Sequence, residues 1–158
     1  MKILIDADGC PVVDLTVKIA ATYKIECIII CDASHIFEKE SVKTIVVTTG
    51  ADSVDFTLVN MIAANDIVVT QDYGLAAMCM AKGAVPVNQN GMIYNETNID
   101  ALLTQRHSAK KIRMSGKRIK IRGETKRTEN NNITFEKALV GIIAESKYES
   151  PGGRNIPS

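Results

Sequence analysis

The sequence predicts an α/β fold of three layers, in which helices cover both faces of a mainly parallel central sheet. Short runs rich in Ile and Val alternate with stretches of ten or more residues whose apolar side chains recur at helical spacing. Helices of that length serve as right-handed crossovers between parallel strands. Acidic residues also follow several of the strand-like runs, at the edge where open parallel sheets bind ligands.

The first two thirds of the chain alternate between strands and helices. Asp52 or Ser53 suits the N-cap of the second helix, and Asp72 suits that of the third. The second helix is expected to turn Phe56, Val59, Ile62 and Ala63 toward the sheet. The expected strands are 2–6, 25–31, 43–48, 67–70 and 84–87, and the expected helices are 12–23, 53–64 and 73–82.

The last third of the chain differs in composition. A helix is expected at 98–108, followed by a basic and polar stretch and then by an amphipathic helix at 133–146 that folds back onto the sheet. Two Pro and two Gly follow within the last nine residues. We therefore expect one domain at 1–146, which includes a basic arm at 106–132, and a mobile tail at 147–158.

Composition narrows the class of protein. The apolar fraction is 46%, which is typical of a globular domain, and no apolar run approaches the length of a membrane span. The N-terminus enters a strand pattern directly, without a secretion signal, and the four cysteines form no close pair. We expect a reduced, cytoplasmic protein that does not engage membranes. Whether it forms a homo-oligomer stays open.

Carboxylates at the carboxyl ends of strands predict a metal site. Asp6 and Asp8 follow the first strand, Asp52 and Asp55 follow the third, and Asp72 follows the fourth. Such carboxylates repel one another unless some are protonated or a cation joins them. Mg²⁺ or Mn²⁺ is the expected cation, because hard ions prefer a few carboxylates, waters and phosphate oxygens. The five aspartates are thus candidate metal ligands.

The five candidates differ in strength. Asp6 stands at the strand tip and is the stronger ligand candidate, although either Asp6 or Asp8 is also suited to capping the helix at Pro11. Asp52 and Asp55 share a helix face at its N-terminus, so one is expected to bind the ion and the other to cap or support it. Thr70 is expected to order the carboxylates by hydrogen bonding. Catalytic roles are predicted for Asp6, Asp55 and Asp72.

Basic residues are concentrated in one segment. Residues 106–127 carry 10 Lys and Arg against 1 Glu, whereas residues 1–105 carry 6 against 13 Asp and Glu. This asymmetry predicts a polyanionic partner, in particular RNA, bound with strong salt dependence. A solvated loop is the alternative. The candidate nucleic-acid contacts are Arg106, Lys110, Lys111, Arg113, Lys117, Arg118, Lys120 and Arg122.

Three acidic segments resemble a known family. They read IDADGCPV at 5–12, GADSVD at 50–55 and VTQDYGLA at 69–76, and Arg113-Met114-Ser115-Gly116 fits a later element. Together they resemble the YaiI/YqxD family of uncharacterised bacterial proteins with a PIN-like domain. The resemblance implies a PIN-like fold and a nuclease that uses clustered acidic residues with Mg²⁺ or Mn²⁺. In it Asp6, Asp72 and either Asp52 or Asp55 match the acidic positions.

Two other functions remain open at this point. One is a non-catalytic RNA-binding or regulatory module that keeps the fold and lacks cleavage. The other is a phosphatase of the haloacid-dehalogenase type, because Asp6-Ala7-Asp8-Gly9 resembles the nucleophile motif of that family. That family needs a strand with Ser or Thr next, then a Lys, and an acidic pair last. Here the acidic segment 50–55 precedes the strand with Val69-Thr70, so the order is wrong. A metal-dependent nuclease acting on RNA is the favoured prediction.

Overall fold

The computed structural model of the chain describes residues 1–34, 36, 39, 42–48, 53–114 and 126–148, and for residues 53, 106–114 and 148 it describes only the backbone. In the described residues β3 follows β2 directly, whereas a helix lies between each of the other consecutive strands up to β5, and two helices follow β5. The strands are β1 (Lys2–Asp6), β2 (Glu26–Asp32), β3 (Lys43–Val47), β4 (Ile67–Val69) and β5 (Val85–Val87). The helices are α1 (Val13–Thr22), α2 (Ser53–Met61), α3 (Tyr73–Ala81), α4 (Glu96–Met114) and α5 (Glu129–Tyr148).

The five strands form one sheet in the order β3-β2-β1-β4-β5, and all neighbouring pairs are parallel. The chain builds the sheet outward from β1 to β3 on one side, and then returns to place β4 and β5 on the other side. The strand order therefore reverses between β1 and β4. Ligands of open α/β sheets bind in the crevice outside the carboxyl ends of the strands at such a reversal.

Side-chain alternation along the strands separates the core into two layers. Ile3 and Ile5 of β1 pack with α1 and with Phe135 and Leu139 of α5 on one face of the sheet. Leu4 faces the other way and packs in the cluster that contains Leu58 of α2 and residues of α3. Because successive strand residues point to opposite faces, one strand serves both layers. The predicted three-layer α/β/α fold is confirmed.

The last two helices are longer than the sequence predicted. Paired Asn side chains start α4, because Asn95 and Asn98 each accept a 2.8 Å hydrogen bond from the backbone N–H of the other. Thr128 and Asn131 start α5, where the Asn131 side chain accepts from the Thr128 N–H at 2.8 Å. Among the helices in the described ranges, none combines the length and apolar character needed to span a bilayer.

The inner face predicted for α2 was partly wrong. Phe56 is 68% exposed, and Ala63 lies exposed beyond the end of the helix. Ile62 is buried as predicted and Val59 packs against the same cluster, while Val54 and Leu58 complete the buried stripe. Phe56 stands two residues from Val54, which rotates it by about 200° around a helix of 3.6 residues per turn. The buried stripe therefore follows i, i+4 spacing from Val54.

Asp66 lies in the turn before β4 and anchors the amino edge of the sheet. Its buried carboxylate accepts hydrogen bonds from the Lys2 backbone N–H at 3.0 Å and from the Ala63 N–H at 2.8 Å. Lys2 Nζ adds an ion pair at 2.6 Å. These contacts fasten the start of β1 to the loop that precedes β4, at the edge opposite the candidate site.

Candidate active site

Asp6 lies at the carboxyl end of β1, beside the reversal of strand order. Its position has the parity of Leu4, so it faces the layer formed by α2 and α3. The Thr70 hydroxyl donates a 2.8 Å hydrogen bond to Asp6 Oδ2. Burial raises the pKa of Asp6 to about 6, against the opposing effect of this hydrogen bond. The ionised form of Asp6 is thus disfavoured in the fold by its own surroundings.

Asp72 joins the same hydrogen-bond network from the start of α3. Its backbone N–H donates to the Thr70 hydroxyl oxygen at 3.1 Å, and its Oδ1 caps the helix by accepting from Gly74 N at 2.9 Å and Leu75 N at 3.1 Å. The predicted cap is confirmed. One oxygen of each aspartate, Asp6 Oδ1 and Asp72 Oδ2, makes no hydrogen bond within the described part of the chain.

Thr70 is held in place by a residue that the sequence did not indicate. The Tyr94 hydroxyl donates to the Thr70 carbonyl oxygen at 3.2 Å, and both side chains are buried. Burial raises the pKa of Tyr94 to about 12, with contributions from Tyr73 and Asp72. Tyr94 therefore stays protonated and donates at neutral pH. Its position two residues after the turn that follows β5 gave no signal of this contact.

The remaining predicted aspartates differ in how deeply they are buried. Asp55 is half-buried in the first turn of α2, and Asp8 is exposed in the turn after β1. The charges of Asp55, Asp72 and Asp8, in that order, raise the pKa of Asp6 further. Mutual repulsion of this kind requires that the carboxylates lie near one another. Asp52 lies outside the described residues.

Asp32 is an acidic residue of this edge that the sequence analysis missed. It ends β2, the neighbour of β1, and its backbone N–H makes a long 3.5 Å contact to Asp8 Oδ1. Its own Oδ1 accepts from the backbone N–H and the hydroxyl of Ser34, at 2.9 and 3.0 Å. The signal was present, because Asp32 follows an apolar run just as Asp6 does.

Divalent cations match the donor chemistry at this edge. Within the described ranges no group of three His, Cys, Asp or Glu side chains is arranged to hold a metal ion. Mg²⁺, however, is usually held by one or two carboxylates, retained waters and substrate phosphates. Asp6 Oδ1 and Asp72 Oδ2 are carboxylate oxygens that could serve as two such ligands. A cation bound there would stabilise the ionised form of Asp6, which burial disfavours.

Cys10 lies close to the acidic edge, in surroundings that disfavour its thiolate form. Burial raises the pKa of its thiol to about 11, and the charge of Asp6 adds to the effect. The thiolate needed for attack is therefore scarce at neutral pH. Burial is the larger of the two causes, and the charge of Asp6 is the smaller.

The predicted nucleic-acid contacts are described only in part. Arg106 has its backbone in α4, within the helix expected at 98–108, and α4 extends beyond that helix to include the backbones of Lys110, Lys111 and Arg113. The helix continues because nothing before Gly116 interrupts it. Their side chains lie outside the described part of the structure, as do residues Lys117, Arg118, Lys120 and Arg122.

Comparison with known proteins assigns the chain to a family. The model of the uncharacterised bacterial YaiI/YqxD family matches residues 4–145. A UPF0178 protein of Ruminiclostridium cellulolyticum is 49% identical over 157 residues, covering 99% of both chains. A UPF0178 protein of Exiguobacterium sibiricum is 45% identical over 145 residues, covering 92% of this chain and 98% of the relative.

A crystal structure of a mutant of Rae1 (YacP) from Bacillus subtilis is similar with a TM-score of 0.43 and 18% identity, covering 92% of this chain and 99% of that one. The family assignment does not depend on this distant likeness. The match over nearly the whole length and the closely related sequences suffice to identify the chain as a member of the YaiI/YqxD family.

Proposed function

We propose that this protein is a metal-dependent nuclease that hydrolyses phosphodiester bonds, with RNA as its substrate. The observation that supports it most is the hydrogen-bonded unit of Asp6, Thr70 and Asp72 at the reversal of strand order. This position is where α/β sheets bind ligands, and the donor set suits Mg²⁺ or Mn²⁺. The PIN-like character implied by the sequence motifs agrees with this assignment.

The proposed roles follow from the hydrogen bonds. Asp6 and Asp72 hold the ion through the oxygens that Thr70 and the α3 cap do not use. Thr70 fixes the orientation of the Asp6 carboxylate, and Asp55 and Asp8 add negative potential. Asp52 keeps its predicted role as an alternative ligand to Asp55. A bound divalent ion supplies activation of water and stabilisation of the leaving oxygen.

The choice of a nucleic acid as the substrate rests on the charge distribution. Of the chain's 19 Lys and Arg residues, 10 lie within residues 106–127, whereas the body that carries the aspartates is acidic. A polyanion is attracted to the basic segment and needs cations to approach the acidic edge. This arrangement favours a nucleic acid that spans both regions over a small phosphate ester.

A cleavage assay tests the proposal. The purified protein with Mn²⁺ is expected to cut a single-stranded RNA oligonucleotide, and Asp6→Asn is expected to lower the rate by about 100-fold or more. Asp100→Asn is the matched control, because Asp100 is exposed on α4. Equal rates for Asp6→Asn and the wild type would identify a contaminant. Salt-sensitive RNA binding without turnover would select the non-catalytic module instead.

A further inference from the structure

A cavity of about 740 Å³ opens beside the acidic edge, on the side of the sheet covered by α1 and α5. Gly9 after β1 and Gln71 after β4 form one wall, where Gln71 Nε2 donates to the Gly9 carbonyl oxygen at 2.8 Å. The turn after β5 and the chain that leads into α5 form the others. Gly9 follows Asp8, and Gln71 stands between Thr70 and Asp72, so the cavity adjoins the candidate active site.

Arg127 gives this cavity a positive charge that no carboxylate among the described residues pairs with. The half-buried guanidinium donates to Asn132 Oδ1 from Nε at 3.0 Å and from Nη2 at 2.7 Å. It also donates to Asn90 Oδ1 at 2.8 Å and to the Gln89 carbonyl oxygen at 2.7 Å. All three acceptors are neutral groups, and Arg127 makes no ion pair in the described ranges.

An anion is the ligand that this charge favours. A partly buried charge held by neutral dipoles is stabilised further when an opposite charge arrives in a region of low dielectric. Lys126 also lines the cavity and is exposed, without a hydrogen bond or ion pair within the described residues. Lys126 and Arg127 are consecutive residues that both line the cavity, so the two cations can bind different oxygens of one phosphate group.

Amide side chains supply a second kind of recognition. Gln71, Gln89, Asn90 and Asn131 line the cavity. The Gln89 Oε1 atom is buried without a partner within the described part of the chain, so rotation of the amide toward a ligand N–H would satisfy it. Asn and Gln side chains pair with the donor and acceptor edges of nucleobases. A phosphate joined to a base matches this lining better than phosphate alone.

The walls are preorganised. Asn88 Oδ1 accepts from the backbone N–H of Asn90 at 2.9 Å and of Met92 at 2.8 Å. Gly91 has φ +89, and a Cβ added there would lie 2.6 Å from the Thr134 carbonyl oxygen, so the turn packs directly on α5. Preorganised walls lower the entropy lost when a ligand is ordered. This wall of the cavity is therefore held in place by the fold before any ligand binds.

We propose that this cavity binds one nucleotide of the nucleic-acid strand, with its phosphate at Lys126 and Arg127 and its base against the amides. This extends the proposed nuclease function, because the cavity opens at the carboxyl ends of β1 and β4, so a strand bound there can continue along this edge toward Asp6 and Asp72. Binding in the cavity needs no divalent ion. It can therefore be measured separately from cleavage.

Calorimetric titration in EDTA with Asp6→Asn protein tests the site, since this variant retains the cavity and binding needs no metal. Adenosine 5′-monophosphate is expected to bind at least about tenfold more tightly than adenosine or inorganic phosphate, because only it engages both sets of groups. Equal binding of inorganic phosphate and the nucleotide would overturn the role of the amides. Equal binding of adenosine and the nucleotide would overturn the role of the cations.

Charge variants locate the site. Lys126→Gln is expected to weaken nucleotide binding about threefold to tenfold, and Arg127→Gln more, with folding of the latter checked by thermal unfolding. Lys137→Gln is the control, because Lys137 is exposed on α5 and does not line the cavity. If Lys126→Gln and Lys137→Gln both bind like the parent protein, the cavity is not the site.

Failure of the two proposals is distinguishable. If nucleotide binding depends on Lys126 but the protein does not cleave RNA, the nucleotide site is supported and the nuclease function is refuted. In the opposite case, cleavage depends on Asp6, but Lys126→Gln and a folded Arg127→Gln change neither the cleavage rate nor nucleotide binding. That result would support the nuclease function and refute the nucleotide site.

Discussion

Thr70 and Asp6 are joined by a 2.8 Å hydrogen bond between side chains that stand 64 residues apart in the sequence. The bond connects the carboxyl ends of β1 and β4, which are adjacent in the sheet. The same hydroxyl oxygen accepts from the Asp72 N–H. A single buried hydroxyl therefore links two of the three residues for which catalytic roles were predicted.

Replacing Thr70 by Val is expected to raise the pKa of Asp6 above about 6, because the hydrogen bond from Thr70 opposes the effect of burial. The same change removes the acceptor of the Asp72 N–H. Metal-dependent cleavage is expected to fall by about 10- to 100-fold, as for other groups that orient ligands. Carboxyl carbon shifts measured by NMR across a pH titration check the pKa. Thr70→Ser is the control, because it keeps the hydroxyl and should retain most of the cleavage rate. An equal loss of cleavage in Thr70→Val and Thr70→Ser would contradict the role of the hydroxyl.

Asp6 is expected to make the metal-free protein less stable as the pH rises. Its pKa is about 6 in the fold and 3.8 ordinarily, so between these values the folded state binds a proton that the unfolded state has released. The free energy of unfolding then falls with increasing pH across that window, and above it the full cost persists.

The Asn side chain in Asp6→Asn keeps the acceptor for Thr70 and has no charge. In EDTA at pH 7.5 this variant is expected to be more stable than the wild type by about 1–3 kcal/mol, because each unit of pKa shift corresponds to about 1.4 kcal/mol. Urea unfolding at pH 4.5 and 7.5 measures the difference. A wild type that loses no more stability than Asp6→Asn over this range would refute the electrostatic explanation.

Two substitutions of Asp72 are expected to distinguish its role as a helix cap from its role as a metal ligand. Asp72→Ala removes the acceptor for Gly74 N and Leu75 N and should lower the free energy of unfolding by about 1 kcal/mol, whereas Asp72→Asn should cost less. Both variants should lose cleavage. Chemical denaturation and the cleavage assay together decide this, and full activity in Asp72→Asn would leave Asp72 as a cap alone.

Asp66 is expected to matter for stability and not for metal binding. Asp66→Ala leaves the Lys2 N–H, the Lys2 ammonium and the Ala63 N–H without their common acceptor. The free energy of unfolding should fall by about 2–3 kcal/mol. Calorimetric titration of folded Asp66→Ala with Mn²⁺ should match the wild type. Loss of Mn²⁺ affinity in a folded variant would show that this edge contributes to the site.

The sequence predicted features that depend on position along a strand or helix. Asp6 and Asp72 could be assigned to one edge because β1 and β4 are parallel, and the α3 cap could be assigned from Asp72 itself. Phe56 was assigned to the wrong face because several registers of the α2 stripe include apolar residues. Asp32 was overlooked because it was counted with the following loop.

The cavity around Arg127 could not be predicted in the same way. It depends on contacts between residues 37 and 38 positions apart, which join Arg127 to the turn at Gln89 and Asn90. No periodicity connects these segments, and in the sequence Arg127 was one of ten basic residues. The roles of Asp52 and of the basic side chains from Arg106 to Arg122 stay predictions.

The most direct test of the account is a crystal of the wild-type protein soaked with Mn²⁺ and measured at a wavelength where manganese scatters anomalously. The account predicts an anomalous peak in direct contact with Asp6 Oδ1 and Asp72 Oδ2, with waters completing the coordination. No peak at this edge in a crystal whose Mn²⁺ is bound elsewhere, or a peak that touches neither aspartate, would contradict it.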